Sequence, residues 1–189
     1  MNISRIENGE LSTENSAFIA FYTDPYHHYQ QNEECRSWGK KAWFAKIPLL
    51  GIMNRWDASL GFVGGKVDQG ETLLNAAVRE CKEEIGGDIL PEQLTLVCSH
   101  KMFFNKTRFQ HTHFFVCKVT PKELYQLQKK SVNSEHSRVE CSGFNVVHLV
   151  EGADLNLLSS PWAGTGKEEL SILFNSNLLQ KCSYEDNGI

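Results

Sequence analysis

No stretch of this 189-residue chain approaches the roughly 18 consecutive apolar residues of a membrane-spanning helix, so the sequence gives no sign of a span. Excess positive charge is also missing. There are 19 Lys and Arg against 23 Asp and Glu, a net charge of −4, so bulk phosphate attraction is not written into the chain. A local basic patch stays open, as does a substrate that arrives with its own cation. No C-x-x-C pair occurs among the six cysteines, Cys35, Cys81, Cys98, Cys117, Cys141 and Cys182, and residues 1–15 are polar, without the apolar core of a signal peptide. These absences predict reduced cysteines packed as small hydrophobes. They also predict a reducing compartment, cytoplasmic or nuclear, and no membrane. Repeats and low-complexity tracts are lacking too.

What is present suits one domain. A hydrophobic content of 41% and a charged content of 22% are ordinary for a globular protein of this length. The reading divides the chain into a flexible segment 1–15, a single domain 16–181 and a tail 182–189. Residues 16–22 (SAFIAFY) read as a buried strand, and 41–54 as an extended run that Pro48 interrupts, an edge or bulge. Residues 94–104 and 109–119 read as a hairpin, and 139–150 as a further strand. Thr120-Pro121 should open a helix, with Thr as cap and Pro at the first position, and Thr165 should cap a last helix from Gly166 to about 180. The loop 26–40 holds His27 and His28 between Tyr26 and Tyr29, but no Cys or Asp at ligand spacing completes a zinc site, so it reads as loop. Strands and helices mix, which predicts an α/β or α+β sandwich rather than a bundle.

The clearest helix is 71–85, where Leu74, Ala77, Val78, Cys81 and Ile85 recur at helical spacing and Gly86-Gly87 ends the run. Glu80, Glu83 and Glu84 fall at i, i+3 and i+4, so a helix puts them on one face, where each like-charged pair costs several tenths of a kcal/mol. Such a face is often just solvated surface. Gathered behind Gly64-Gly65, which lets backbone approach a ligand closely, the three make sense around a hard cation, Mg²⁺ or Mn²⁺. Glu71 is placed at the helix start, where the helix dipole favours an anion. Arg79 can reach a carboxylate on the preceding loop and tie that loop to the helix.

The order is Gly65, five residues, Glu71, seven residues, then Arg79-Glu80-Cys81-Lys82-Glu83-Glu84-Ile85-Gly86. This resembles the Nudix box and departs from it only at Gly87, where an apolar residue is usual. The resemblance implies an α/β fold, the Nudix α/β/α sandwich around a mixed sheet. It implies Glu83 and Glu84 as main metal ligands, Glu80 as a ligand or water-orienting group, a Gly65 carbonyl able to join them, and Glu71 with Arg79 as a structural pair. The catalytic set is thus Glu71, Arg79, Glu80, Glu83 and Glu84. The reaction implied is attack of water on phosphorus in a nucleoside diphosphate linked to a further group.

The stretch 55–65, RWDASLGFVGG, resembles the start of the snoRNA-decapping and inosine-diphosphatase subgroup, as does VTPKEL at 119–124. That likeness implies Arg55, Phe62, His100 and Glu169 as substrate-binding residues. The alternatives are a surface salt bridge for Arg55, plain core for Phe62, a structural role for His100 and a surface acid at Glu169. Two departures weaken an inosine preference: Ala17 stands where the subgroup has a histidine, and Glu169 where it has a glutamine. His111 and His113 share a strand face, toward a ligand or toward solvent. The partners implied are a nucleotide or capped RNA, and a homodimer is left open. The expected substrates are RNA 5′ caps or purine (deoxy)nucleoside diphosphates. The rivals are ADP-ribose or NAD-type dinucleotides and a non-catalytic binding module.

Overall fold

Residues Ala17, Ile19 and Phe21 pack on one side of their strand and Ala20 and Tyr22 on the other, all buried. A strand apolar on both faces needs helices on both faces, and the fold supplies them. The computed structural model describes residues 2–27, 45–136, 141–179 and 183–184. Its elements in chain order are β1 (Asn2–Ile6), β2 (Asn15–Tyr22), β3 (Tyr26–His27), β4 (Ala45–Ile47), β5 (Leu49–Arg55), β6 (Leu60–Gly61), β7 (Val63–Lys66) and α1 (Leu73–Ile85). Then come β8 (Leu94–Phe103), β9 (Phe109–Lys118), α2 (Pro121–Ser131), β10 (Cys141–His148), α3 (Ala153–Ser159), α4 (Gly166–Asn175) and β11 (Ser183–Tyr184).

The main sheet runs β1-β8-β9-β2-β5-β10, with β6 added to β5 and β7 to β2. Among the described strands only β2 and β9 pair in parallel, so the sheet is mixed. One core lies under α1 and α2, where Ala77, Cys81, Ile85 and Leu124 meet Ile19 and Phe115. The second lies under α3 and α4, where Leu157, Leu170 and Leu173 meet Phe114 and Val116. This is an α/β/α sandwich. Among the described residues, no helix is long and apolar enough to cross a membrane.

Local chemistry explains the helix ends. Thr120 Oγ1 accepts from the Glu123 N–H while Glu123 reaches back to the Thr120 N–H, a capping box with Pro121 following. Thr165 is different: it makes no side-chain cap to the helix backbone. The last helix also stops at Asn175 rather than near 180.

Three other elements differ from expectation. The segment expected to be loose, 1–15, contains β1, which pairs antiparallel with β8 from Asn2↔Phe103 to Ile6↔Ser99. An edge strand held by backbone bonds needs no apolar pattern, so NISRI gives no signal. Helix α3 was not foreseen. The extended run 41–54 resolves into β4 and β5 on either side of Pro48, with 41–44 outside the described residues. Most of the loop 26–40 lies outside them too, except for the short β3.

Candidate active site

The box begins where β7 leaves the sheet. Gly64 has φ +144°, and a Cβ there would lie 2.1 Å from the Ala17 carbonyl oxygen, so only glycine lets β7 lie this close to β2. Its N–H donates to Glu84 Oε2 at 2.7 Å. A Cβ on Gly65 would lie 2.6 Å from Glu80 Oε1, so the missing side chain is the space the Glu80 carboxylate fills. The helix itself begins after Thr72, whose Oγ1 accepts from Asn75 N–H, and ends at Gly86 with φ +63°. Glu71 therefore precedes the helix instead of opening it. It closes a turn, its N–H donating to Asp68 O at 3.1 Å and its Oε2 accepting from Asp68 N–H at 3.2 Å.

Arg79 joins these pieces with all the donors a guanidinium has. Nε donates to Glu71 Oε1 at 3.2 Å and Nη2 to Glu71 Oε2 at 3.1 Å, a two-pronged clamp. Nη2 also donates to the Lys66 carbonyl at 2.9 Å, tying the loop to the helix. Nη1 donates to Glu80 Oε1 at 2.8 Å and Glu83 Oε2 at 2.9 Å. Burial works against the charged form of Glu71, yet the Arg79 bonds and the Asp68 N–H outweigh it and hold the carboxyl below its usual range. The bond to Glu71 above all, with Glu80 and Glu83 adding, pushes the Arg79 pKa up against its partial burial.

The structure thus brings Gly65, Glu71, Arg79, Glu80, Glu83 and Glu84 together. Among the described residues, no three His, Cys, Asp or Glu side chains stand at ligand spacing. The chemistry fits a hard cation even so: the donors are all oxygen, Glu80 and Glu84 are buried, and Gly65 lacks the Cβ that would displace the Glu80 carboxylate.

The residues named for substrate lie elsewhere. Phe62 is buried on the α3/α4 face, its ring 4.8 Å from Phe114 and 5.1 Å from Trp162. Arg55 is exposed at the end of β5, beside a recess it shares with Asn54, Trp56, Ser59 and Ser142. His100 is buried in β8, and burial lowers its pKa. Ala17 lies between Gly65 and His113 in the sheet, on the α1 face. His111 and His113 are buried, not half-exposed. The ring of His113 lies between Ser99 Oγ and Asn15 Oδ1, and burial brings its pKa down to about 4.

Glu169 is 1% exposed, not a surface acid. Thr165 Oγ1 donates to its Oε1 at 2.6 Å and lies 3.2 Å from Thr112 Oγ1, so the threonine spends its hydroxyl on this acid rather than on the cap. Sequence reasoning missed this pairing; the i, i+4 spacing of Thr165 and Glu169 was the available signal. Burial pushes the Glu169 carboxyl up to about 7, with Glu168 adding and the Thr165 bond opposing. The folded protein therefore keeps a proton that the unfolded chain releases near pH 4.5. The stability that Glu169 contributes should fall by about 3 kcal/mol as pH rises from about 4.5 to about 7. His113, kept neutral by burial down to about pH 4, contributes in the opposite direction as pH rises toward 6.5. Urea unfolding of the wild type and of Glu169→Gln at pH 5 and pH 8 separates them: the variant should gain stability with rising pH where the wild type shows little net change.

A NUDIX domain family matches residues 36–154. The chain belongs to the Nudix family. Its Nudix domain is 29% identical over 114 residues to a U8 snoRNA-decapping enzyme of Homalodisca vitripennis, covering 58% of this chain and 61% of that one. It is 28% identical over 115 residues to the U8 snoRNA-decapping enzyme of Xenopus laevis, covering 56% and 52%. The match thus spans less than two thirds of either relative. In structure, the Nudix sandwich resembles a MutT/nudix family protein from Enterococcus faecalis, with TM-score 0.56 and 14% identity over 88% of this chain and 62% of that one. That likeness shows the fold.

Proposed function

We propose that this protein hydrolyses phosphoanhydride bonds in nucleoside-diphosphate-linked substrates with Mg²⁺ or Mn²⁺, and that RNA 5′ caps or purine (deoxy)nucleoside diphosphates are its targets. One observation carries the reading: Glu80 fills the space beside Gly65, Glu84 accepts from the Gly64 N–H, and Arg79, its donors fully engaged, joins Glu80 and Glu83 on the same helix face. A binding module has no need to keep three mutually repelling carboxylates. The decapping relatives support the choice of substrate class. Cys81, Cys98 and Cys117 are buried free thiols, which supports a reducing setting, cytoplasmic or nuclear.

Glu80, Glu83, Glu84 and the Gly65 carbonyl would hold the metal. When bound, it polarises a phosphoryl oxygen and lowers the pKa of a water. The chain does the rest. Arg79 and Glu71 keep the loop 66–71 fixed against α1. The Gly64 N–H holds one oxygen of Glu84 in place. A carboxylate of the cluster takes the proton as water oxygen bonds to phosphorus and the bridging oxygen leaves with the bond electrons.

The test is a panel with Mg²⁺ and Mn²⁺: capped RNA, purine nucleoside and deoxynucleoside diphosphates, ADP-ribose and NAD. Labelled water then shows which phosphorus is attacked. Metal-dependent release of nucleotide products is expected, with capped RNA or a purine diphosphate turned over fastest. Folded protein that turns over none of them overturns the reading.

A further inference from the structure

The hairpin joining β8 and β9 carries more than a turn requires. Its segment 101–109, KMFFNKTRF, holds Lys101, Lys106 and Arg108 and no acid, in a chain of net charge −4. Asn105 Oδ1 accepts from the Thr107 and Arg108 N–H groups, so the turn is closed by its own asparagine. The aromatics and cations are additional. Phe103 and Phe109 lie opposite each other with ring centroids 6.1 Å apart, and Lys101 Nζ sits 3.7 Å from the Phe109 centroid. Arg108 lies 5.2 Å from the Phe104 centroid and also donates to Glu14 at 3.3 Å. Phe104 is 46% exposed, and nothing in the turn calls for a ring there.

Register places this tip near the box. Lys66 of β7 pairs with Ser16, and Ser16 with Thr112 of β9. Because β9 runs parallel to β2 and β7 runs against it, the hairpin mouth and the loop leaving β7 open at the same end of the sheet. Lys101 pairs with His111 and Phe103 with Phe109. Phe109 and His111 are an even number of residues from Phe115, which packs in the core under α1, so they and their cross-strand partners Phe103 and Lys101 lie on the α1 face. Two strand spacings across and three residues along put Phe109 on the order of 15 Å from Lys66, whose carbonyl Arg79 holds. A few nucleotides of extended strand cover that distance.

We infer that the β8–β9 tip binds single-stranded RNA running away from the reacting phosphates, with a base stacked on Phe104 and backbone phosphates at Lys101 and Lys106. The inference rests on the function proposed above and selects an RNA chain over a free nucleotide as the preferred substrate. Aromatic faces interleaved with cations are how single strands are held without sequence readout. An acidic membrane surface suits the tip less: its apex is Asn105-Lys106-Thr107, polar and exposed, so Phe104 could enter lipid only by dragging a lysine with it.

The test uses the full chain carrying Lys101→Ala, Phe104→Ala and Lys106→Ala together, and a fluorescent RNA of about ten nucleotides with a 5′ hydroxyl, which has no anhydride to cleave. The dissociation constant, by anisotropy, should rise about tenfold. The slope of log affinity on log salt should shrink by about 1.4, for two lost phosphate contacts. Turnover of a free purine nucleoside diphosphate and the melting temperature should not change. Unchanged RNA affinity and salt slope overturn the inference. So does wild-type binding to phosphatidylserine vesicles that the triple variant loses while RNA binding stays. A panel without turnover beside tip-dependent RNA binding removes the hydrolase reading and leaves the tip standing. Turnover with RNA binding indifferent to the tip does the reverse.

Discussion

Glu83→Gln should lower turnover about a thousandfold in a protein that stays folded. In the proposed reaction this carboxylate would share a divalent cation with Glu80 and Glu84, and electrostatic stabilisation of that kind is worth several kcal/mol at the transition state, at about 1.4 kcal/mol per tenfold in rate. Stability should change little. The Glu83 side chain is 27% exposed and accepts from Arg79 Nη1 at 2.9 Å, a bond a glutamine carbonyl can still accept. Removing one of three like charges from a helix face also relieves repulsion with Glu80 and Glu84. The net effect on unfolding free energy should stay within about 0.5 kcal/mol. Steady-state rates and urea melts of the same preparation check both halves. Equal losses in both would make Glu83 a structural residue.

The box was legible in the sequence because its chemistry is tied to one helix. Once Glu80, Glu83 and Glu84 sit at i, i+3 and i+4, their shared face follows from helical geometry alone. The hairpin of β8 and β9 and the capped start of α2 were legible for the same local reasons. Contacts made through tertiary structure were not. The sequence suggests that Arg79 reaches one carboxylate; its bonds to Glu80 and Glu83 stay within α1, but its bond to the Lys66 carbonyl depends on how β7 meets α1. The Gly64 N–H bond to Glu84 depends on the same meeting. Likewise, β1 shows in no hydrophobic pattern because backbone pairing to β8 holds it. Helix α3 is seven residues behind Gly152 at φ +81°, too short to show a period. The faces of the sheet were equally hidden. Phe62, His100 and Glu169 lie on the α3/α4 side, and periodicity within a strand cannot say which helices cover it.

Gly64 and Gly65 are neighbours, yet the two alanine substitutions should fail in different ways. At Gly64 a Cβ would meet backbone, the Ala17 oxygen at 2.1 Å and the Phe18 Cα at 2.7 Å, with φ at +144°. Neither atom can yield without opening β7 from β2, the strand that pairs with β9 at the centre of the sheet. Steric overlap and backbone strain each cost about 1–3 kcal/mol, so Gly64→Ala should lose about 3–5 kcal/mol. Activity should go with it, since the Gly64 N–H that holds Glu84 moves too. At Gly65 the atom in the way is Glu80 Oε1 at 2.6 Å, the far end of a side chain that can swing aside, and φ lies outside the left-handed region. Gly65→Ala should therefore fold with a loss under about 1 kcal/mol. It displaces a carboxylate from the cluster, so turnover should drop about ten- to a hundredfold and Mn²⁺ should bind more weakly. Denaturant midpoints, turnover and Mn²⁺ titration of the two variants side by side decide the matter. If both merely destabilise, the pair is a turn. If Gly65→Ala loses metal affinity while keeping its midpoint, the second glycine is there to leave room for Glu80.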